Sequence, residues 1–141
     1  MNNTNISDEL KTAYKQAKYV VQTEDKDIIL RVDEHNIELD YLLTKHGNDM
    51  AAFITPENPY SKPLSEKQNA IRHNDFLDDF KKEELLFLEG YGCDDADAWA
   101  KEKSYLVFIT NIKTAKILAS KYGQNAWVFC KKLKPIELIY G

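Results

Sequence analysis

Residues 50–69, MAAFITPENPYSKPLSEKQN, constrain this chain more than any other stretch. They open as a near-continuous apolar run, which predicts a strand over 50–55 buried on both faces. Pro56, Pro59 and Pro63 follow closely. Each proline fixes its own φ and pushes the residue before it towards extended backbone. The loop is therefore stiff. Ser65-Glu66-Lys67-Gln68 then has the pattern of a capping box, which starts a helix running to about residue 82. A buried strand, a rigid loop and a helix start are thus held in one fixed relation.

The rest of the composition sets the context. With 141 residues, 43% hydrophobic and 30% charged, the chain suits a single globular domain over 1–141 with a real core. A net charge of −4 argues against broad nucleic-acid binding, which needs a clustered basic surface. The small basic knot of Lys131, Lys132 and Lys134 reads as a solvated turn. Cys93 and Cys130 lack the spacing of a zinc site, and a disulfide between them stays open. The sequence MNNTNISDEL does not have the form of a signal peptide. No apolar run approaches the roughly 18 residues of a membrane span. Cytoplasmic localisation is the expectation.

Local signals predict an element order of α-β-β-α-β-α-β-β-α-β-β. Ser7 caps a first helix with Leu10, Ala13, Tyr14 and Ala17 on one stripe. Strands over 18–23 and 27–32 flank the turn Glu24-Asp25-Lys26. A helix over 37–46 turns Leu39, Leu42 and Leu43 inward and ends at Gly47. A short strand over 85–88 is expected to break at Gly90-Tyr91-Gly92, leaving Cys93 in an acidic loop with Asp94, Asp95 and Asp97. Those aspartates lack the pattern of a calcium loop, so a solvated loop is the plainer reading. Trp99 leads towards the most apolar strand, 105–109. Asn111 caps the last helix, where Ala115 and Ala119 allow close approach to a sheet, and Gly123 ends it. Strands over 125–130 and 135–140 complete an α/β (or α+β) domain, a mixed β-sheet of five to seven strands. The last of these lies at an edge, where Pro135 is tolerated.

Helical crossovers usually join parallel strands and short loops antiparallel ones. On that rule, strand 105–109 runs opposite to strand 50–55. One sheet edge then gathers Thr55, Asn58, Ser61, Ser65, Asn69, Tyr91, Glu102, Ser104, Gln124 and Asn125. The helix start at Ser65 adds free N–H groups suited to an anion. On that helix, Asn69 and His73 share a stripe with Phe76, Leu77 and Phe80. They either satisfy backbone groups or face a pocket. His73 and Glu102 are weak candidates for a catalytic acid/base pair. No phosphate loop, dinucleotide fingerprint, nucleophile elbow or metalloprotease motif is present, so no cofactor or metal is expected.

Four segments carry a family resemblance: Ile54-Thr55-Pro56-Glu57-Asn58-Pro59; Asn69; Trp99 to Val107, WAKEKSYLV; and Tyr122-Gly123-Gln124-Asn125-Ala126-Trp127. In this order they resemble the I-T-A-x-N-P, helix-Asn, W-x-E-x-S-[FY]-L-V and F-G-Q-N-A segments of a bacterial family, domain of unknown function 3293. Pro56 stands where a small residue is usual, Trp99 lies one residue further from Glu102, and Tyr122 replaces Phe. The resemblance implies no established activity, substrate or cofactor.

The leading expectation is a domain that binds an anionic or nucleotide-like small ligand through Thr55, Asn58, Ser65, Asn69, Glu102, Ser104, Gln124 and Asn125. The alternatives are a protein-interaction module presenting Tyr60, Tyr91 and Tyr140, and a hydrolase using His73 and Glu102. No nucleic-acid or membrane partner is expected.

Overall fold

Each α-helix among the described residues begins where a short polar side chain takes up a free backbone N–H. The computed structural model describes residues 6–94 and 101–141. Ser7 accepts from the Leu10 N–H at the start of α1 (Asp8–Gln16). Asn36 serves α2 (Ile37–His46) in the same way, and Gly47 ends that helix at φ 70°. α3 (Glu66–Lys82) opens with the expected capping box between Ser65 and Gln68. Asn111 caps α4 (Ile112–Lys121), and Gly123 follows its end at φ 66°. A side-chain cap of this kind stabilises by about 1 kcal/mol.

The strands are β1 (Lys18–Gln22), β2 (Asp27–Leu30), β3 (Met50–Ile54), β4 (Phe87–Cys93), β5 (Glu102–Ile109), β6 (Ala126–Lys131) and β7 (Glu137–Tyr140). They form one seven-stranded sheet in the order β2-β1-β4-β5-β3-β6-β7. The predicted succession of elements is the observed one, and β7 lies at an edge. Strands joined by the α3 and α4 crossovers point the same way, as expected. They do not touch. β5 lies between β3 and β4, and β3 lies between β5 and β6, so every neighbouring pair is antiparallel. This order places β5, the most apolar strand, at the centre with a partner on each side.

The glycines of β4 do not break it. The strand runs through Gly90 and Gly92 because β1 pairs alongside, Val21 opposite Gly90 and Tyr19 opposite Gly92. A Cβ on Gly90 would lie 2.1 Å from the Val20 carbonyl oxygen, so only glycine fits this approach. Cys93 consequently ends a strand and is buried, not loop-borne. Cys130 is also buried and free, so the two form no disulfide. Asp95, Asp97 and Trp99 lie outside the described residues.

Alternation along the strands sorts the core into two layers. Ala51 and Phe53 of β3 share one face with Leu106 and Phe108 of β5, and Leu39, Leu42 and Leu43 of α2 cover them. Ile54, Tyr105, Val107 and Ile109 face the other way, against Phe76 and Phe80 of α3 and Ala115, Leu118 and Ala119 of α4. Ala115 and Ala119 are fully buried, which is the close approach their size allows. α2 covers only part of its face.

Candidate functional site

Continued towards one sheet edge, the α2 face changes character. Leu106 and Phe108 give way along β5 to Ser104 and Glu102, and Phe53 gives way to Thr55. Phe53, Thr55, Glu102 and Ser104 line a cavity of about 440 Å³. Its floor is hollowed by small residues, Gly92, Ser104 and Ala126, and walled by Tyr19, Phe53, Val128 and Leu138. Leu10 and Tyr14 of α1 and Ala17 just after it close one side, and Asn58, Ser61 and Pro63 of the proline loop close another. The volume falls in the range of roughly 300–1,000 Å³ common to small-molecule sites.

Asn58 is the hub. Its backbone sits in the left-handed region at φ 48°, a conformation asparagine tolerates better than most residues. Its Nδ2 donates to Glu102 Oε2 at 3.0 Å. Its Oδ1 accepts from the Leu64 N–H and from Asn69 Nδ2, each at 3.0 Å. Its own N–H donates to Asn69 Oδ1 at 3.2 Å. Asn69 therefore reaches the cavity only through Asn58, and its side chain acts as a brace. Gln124 lines the cavity while its Nε2 donates to the carbonyls of Glu57 and Tyr122. Asn125 donates to Ser61 Oγ at 2.9 Å, and Ser61 shares a hydrogen bond with the Tyr14 hydroxyl. The loop is thereby tied to α1 and to the residue just before β6. Ser65 is occupied by its helix cap and does not line the cavity. Tyr91 also lies outside the lining.

Glu102 is the charged side chain among the described lining residues. Burial pushes its carboxyl above the ordinary range, against the Asn58 hydrogen bond, and the nearby charge of Glu57 adds to the rise. Ser104, 2% exposed, donates from Oγ to the Glu102 carbonyl at 2.9 Å. Thr55 Oγ1 donates to the Lys103 carbonyl at 2.8 Å and accepts from the Glu57 N–H.

His73 belongs to a different constellation. Its Nε2 lies 2.6 Å from Glu57 Oε2 and its Nδ1 lies 2.8 Å from the Tyr105 hydroxyl. Both ring nitrogens are thus engaged away from Glu102, on the α3 side of the sheet. The Tyr105 phenol is pushed up to about 12, chiefly by burial, with the charges of Glu89 and Glu57 contributing. Arg72 braces the same region, donating from Nε to the Pro56 carbonyl at 2.5 Å and from its guanidinium to the Tyr122 carbonyl.

Several of these residues escape a reading of the sequence. Leu10, Tyr14 and Ala17 carry a visible stripe, but a stripe reads as core and gives no hint of a cavity wall. Glu57 and Tyr105 lie in segments already singled out, but nothing local marks them as partners of His73, and Arg72 has no local signal at all. The alternation Glu102, Ser104, Leu106, Phe108 is the one pattern that marks the polar end of an otherwise apolar face.

Among known families, one described as protein of unknown function (DUF3293) matches residues 54–127. That span holds the proline loop, Asn69, Glu102, Ser104 and Gln124, whereas α1 and β7 lie outside it. No curated protein and no solved structure is significantly similar to the chain. Among the described residues, no helix is long and apolar enough to cross a membrane.

Proposed function

The chain belongs to the DUF3293 family, and from that premise we propose that it is a small-molecule-binding domain whose ligand occupies the cavity beneath α1. One observation carries the reading. Asn58 holds one oxygen of the Glu102 carboxylate at the cavity wall, and the other oxygen makes no hydrogen bond among the described residues. A few fixed polar groups in a mostly apolar hollow are what a ligand site requires.

An anionic ligand has less support. Among the described residues no Lys, Arg or His lines the cavity, and the first turn of α3 is taken up by its own capping box. The hydrolase reading has less support, because both ring nitrogens of His73 are bonded to Glu57 and Tyr105. The interaction-module reading rests on exposed tyrosines without a concave site and has less support beside this cavity.

A thermal-shift screen of metabolites tests the proposal, since a ligand that binds only the folded state raises its stability. The expected result is a rise for wild type that is lost in Ala126→Leu, where the added side chain fills the floor. Ligands that shift both chains equally would place binding elsewhere and sink the proposal.

A further inference from the structure

The hydrogen-bonding groups of the cavity have an uneven balance of donors and acceptors. The hydroxyl protons of Ser104 and Thr55 are directed at backbone carbonyls. The Tyr19 hydroxyl donates to the Tyr14 carbonyl at 2.6 Å. Both amide hydrogens of Gln124 are taken by carbonyls, and Asn58 donates to Glu102. Tyr14 and Ser61 share one hydrogen bond, which leaves one hydroxyl proton between them, and the buried Trp127 indole N–H has no partner among the described residues. Beside these two donors the cavity offers acceptors, with the second oxygen of Glu102 foremost.

Resting on the small-molecule reading above, we infer that the ligand is an organic monocation, a primary or secondary ammonium on an apolar or aromatic body, with its N–H groups directed at Glu102. Charge decides this. A neutral ligand would leave a carboxylate in a desolvated hollow without compensation, and an anion would add a like charge. An ammonium supplies both the missing donors and the missing charge. The rings of Tyr14 and Tyr19 in the wall add cation–π attraction, while Phe53, Val128 and Leu138 receive the apolar body. The hydrogen bond from Asn58 fixes the carboxylate beforehand, so little freedom is lost on binding.

Three probes of one shape separate the possibilities: phenethylammonium, phenethyl alcohol and phenylacetate. Calorimetric titration or saturation-transfer NMR is run above the pH at which the Glu102 carboxyl ionises, located first by carbon-detected NMR of that carboxyl. The ammonium should bind at least tenfold tighter than the alcohol, with phenylacetate weakest. Glu102→Gln should level the ammonium with the alcohol, and Ala126→Leu should lose both. Phenylacetate or the alcohol matching the ammonium in wild type overturns the ligand class, and that ranking holds even if Glu102→Gln fails to fold. An ammonium preference that survives in a folded Glu102→Gln overturns it as well. If either of the other probes binds wild type at least as tightly as the ammonium and is lost in Ala126→Leu, the cavity reading stands without the class. If none of the three binds at millimolar concentration, the cavity reading falls, and this inference with it.

Discussion

Asn58 and Glu102 stand 44 positions apart in the chain, yet Nδ2 of the first donates to Oε2 of the second at 3.0 Å. The carboxylate in the cavity is aimed by the loop, and the loop is held from behind by Asn69 on α3. Position along β5 decides which wall Glu102 occupies. Asn58 decides which way its oxygens point.

Replacing Asn58 by Ala removes the acceptor for the Leu64 N–H and for Asn69 Nδ2, and the donor to Glu102, while the backbone N–H to Asn69 Oδ1 stays. Leaving such partly buried groups unpaired should cost about 2–3 kcal/mol. The urea midpoint should fall with an unchanged slope. The Glu102 carboxyl should also titrate higher, since the lost hydrogen bond is the one that lowers it. Carbon-detected NMR of that carboxyl checks the second half. A midpoint equal to wild type would mean that Asn58 is no brace.

Gly123 and Gly47 both have left-handed backbone, at φ 66° and 70°. They differ in surroundings. A Cβ on Gly123 would lie 2.9 Å from Pro59 Cβ and 3.1 Å from the Tyr60 ring, whereas one on Gly47 meets nothing within 4 Å. Gly47→Ala should cost only the backbone strain, about 1 kcal/mol. Gly123→Ala should cost about 1–3 kcal/mol more by displacing the loop. Equal costs in denaturation would show that α4 and the loop can separate freely.

The unusual titration of Glu102 has a stability consequence. Its folded pKa lies above the unfolded value, raised first by burial. Stability from that group is complete below the unfolded pKa and is lost as pH rises through the folded one. Glu102→Gln removes the titration. The variant should gain on wild type as pH climbs from about 4 through the raised pKa, and the gap should then stay constant above it. Urea midpoints across that window read it directly. A gap that stays flat from the acid end, or that closes with pH, would show that the carboxylate is not penalised by its site.

Arg72 bonds two carbonyls from one guanidinium, those of Pro56 and Tyr122, and lies 5.4 Å from the Tyr122 ring centroid. Lysine keeps the charge but not the planar fork. Arg72→Lys should lose about 1–2 kcal/mol and speed amide exchange in the loop more than in α3 itself. Exchange quickened equally in both would assign Arg72 to the helix alone.

Much of this was legible before any coordinates. Ser7, Ser65 and Asn111 announce their helices because a cap is a contact within one turn. The element order follows from such local signals, and the crossover rule then yields the strand directions. Thr55, Asn58, Glu102, Ser104 and Gln124 could be gathered at one edge on directions alone. Gly90 misled for the opposite reason: it reads as a strand breaker, and only the neighbouring Val20 carbonyl explains why β4 continues through it.

The sequence by itself determined the elements, their order and the polar end of an apolar face, since each depends on residues within a few positions of one another. Only the tertiary structure decided that β5 sits between β3 and β4, and that α1 closes a cavity over that face. Only it divided the polar residues between roles: Asn69 braces, Glu102 faces the cavity and His73 serves Glu57. Strand order and a left-handed asparagine set those distances, and hydrogen bonds between residues far apart in the chain leave no periodicity to read.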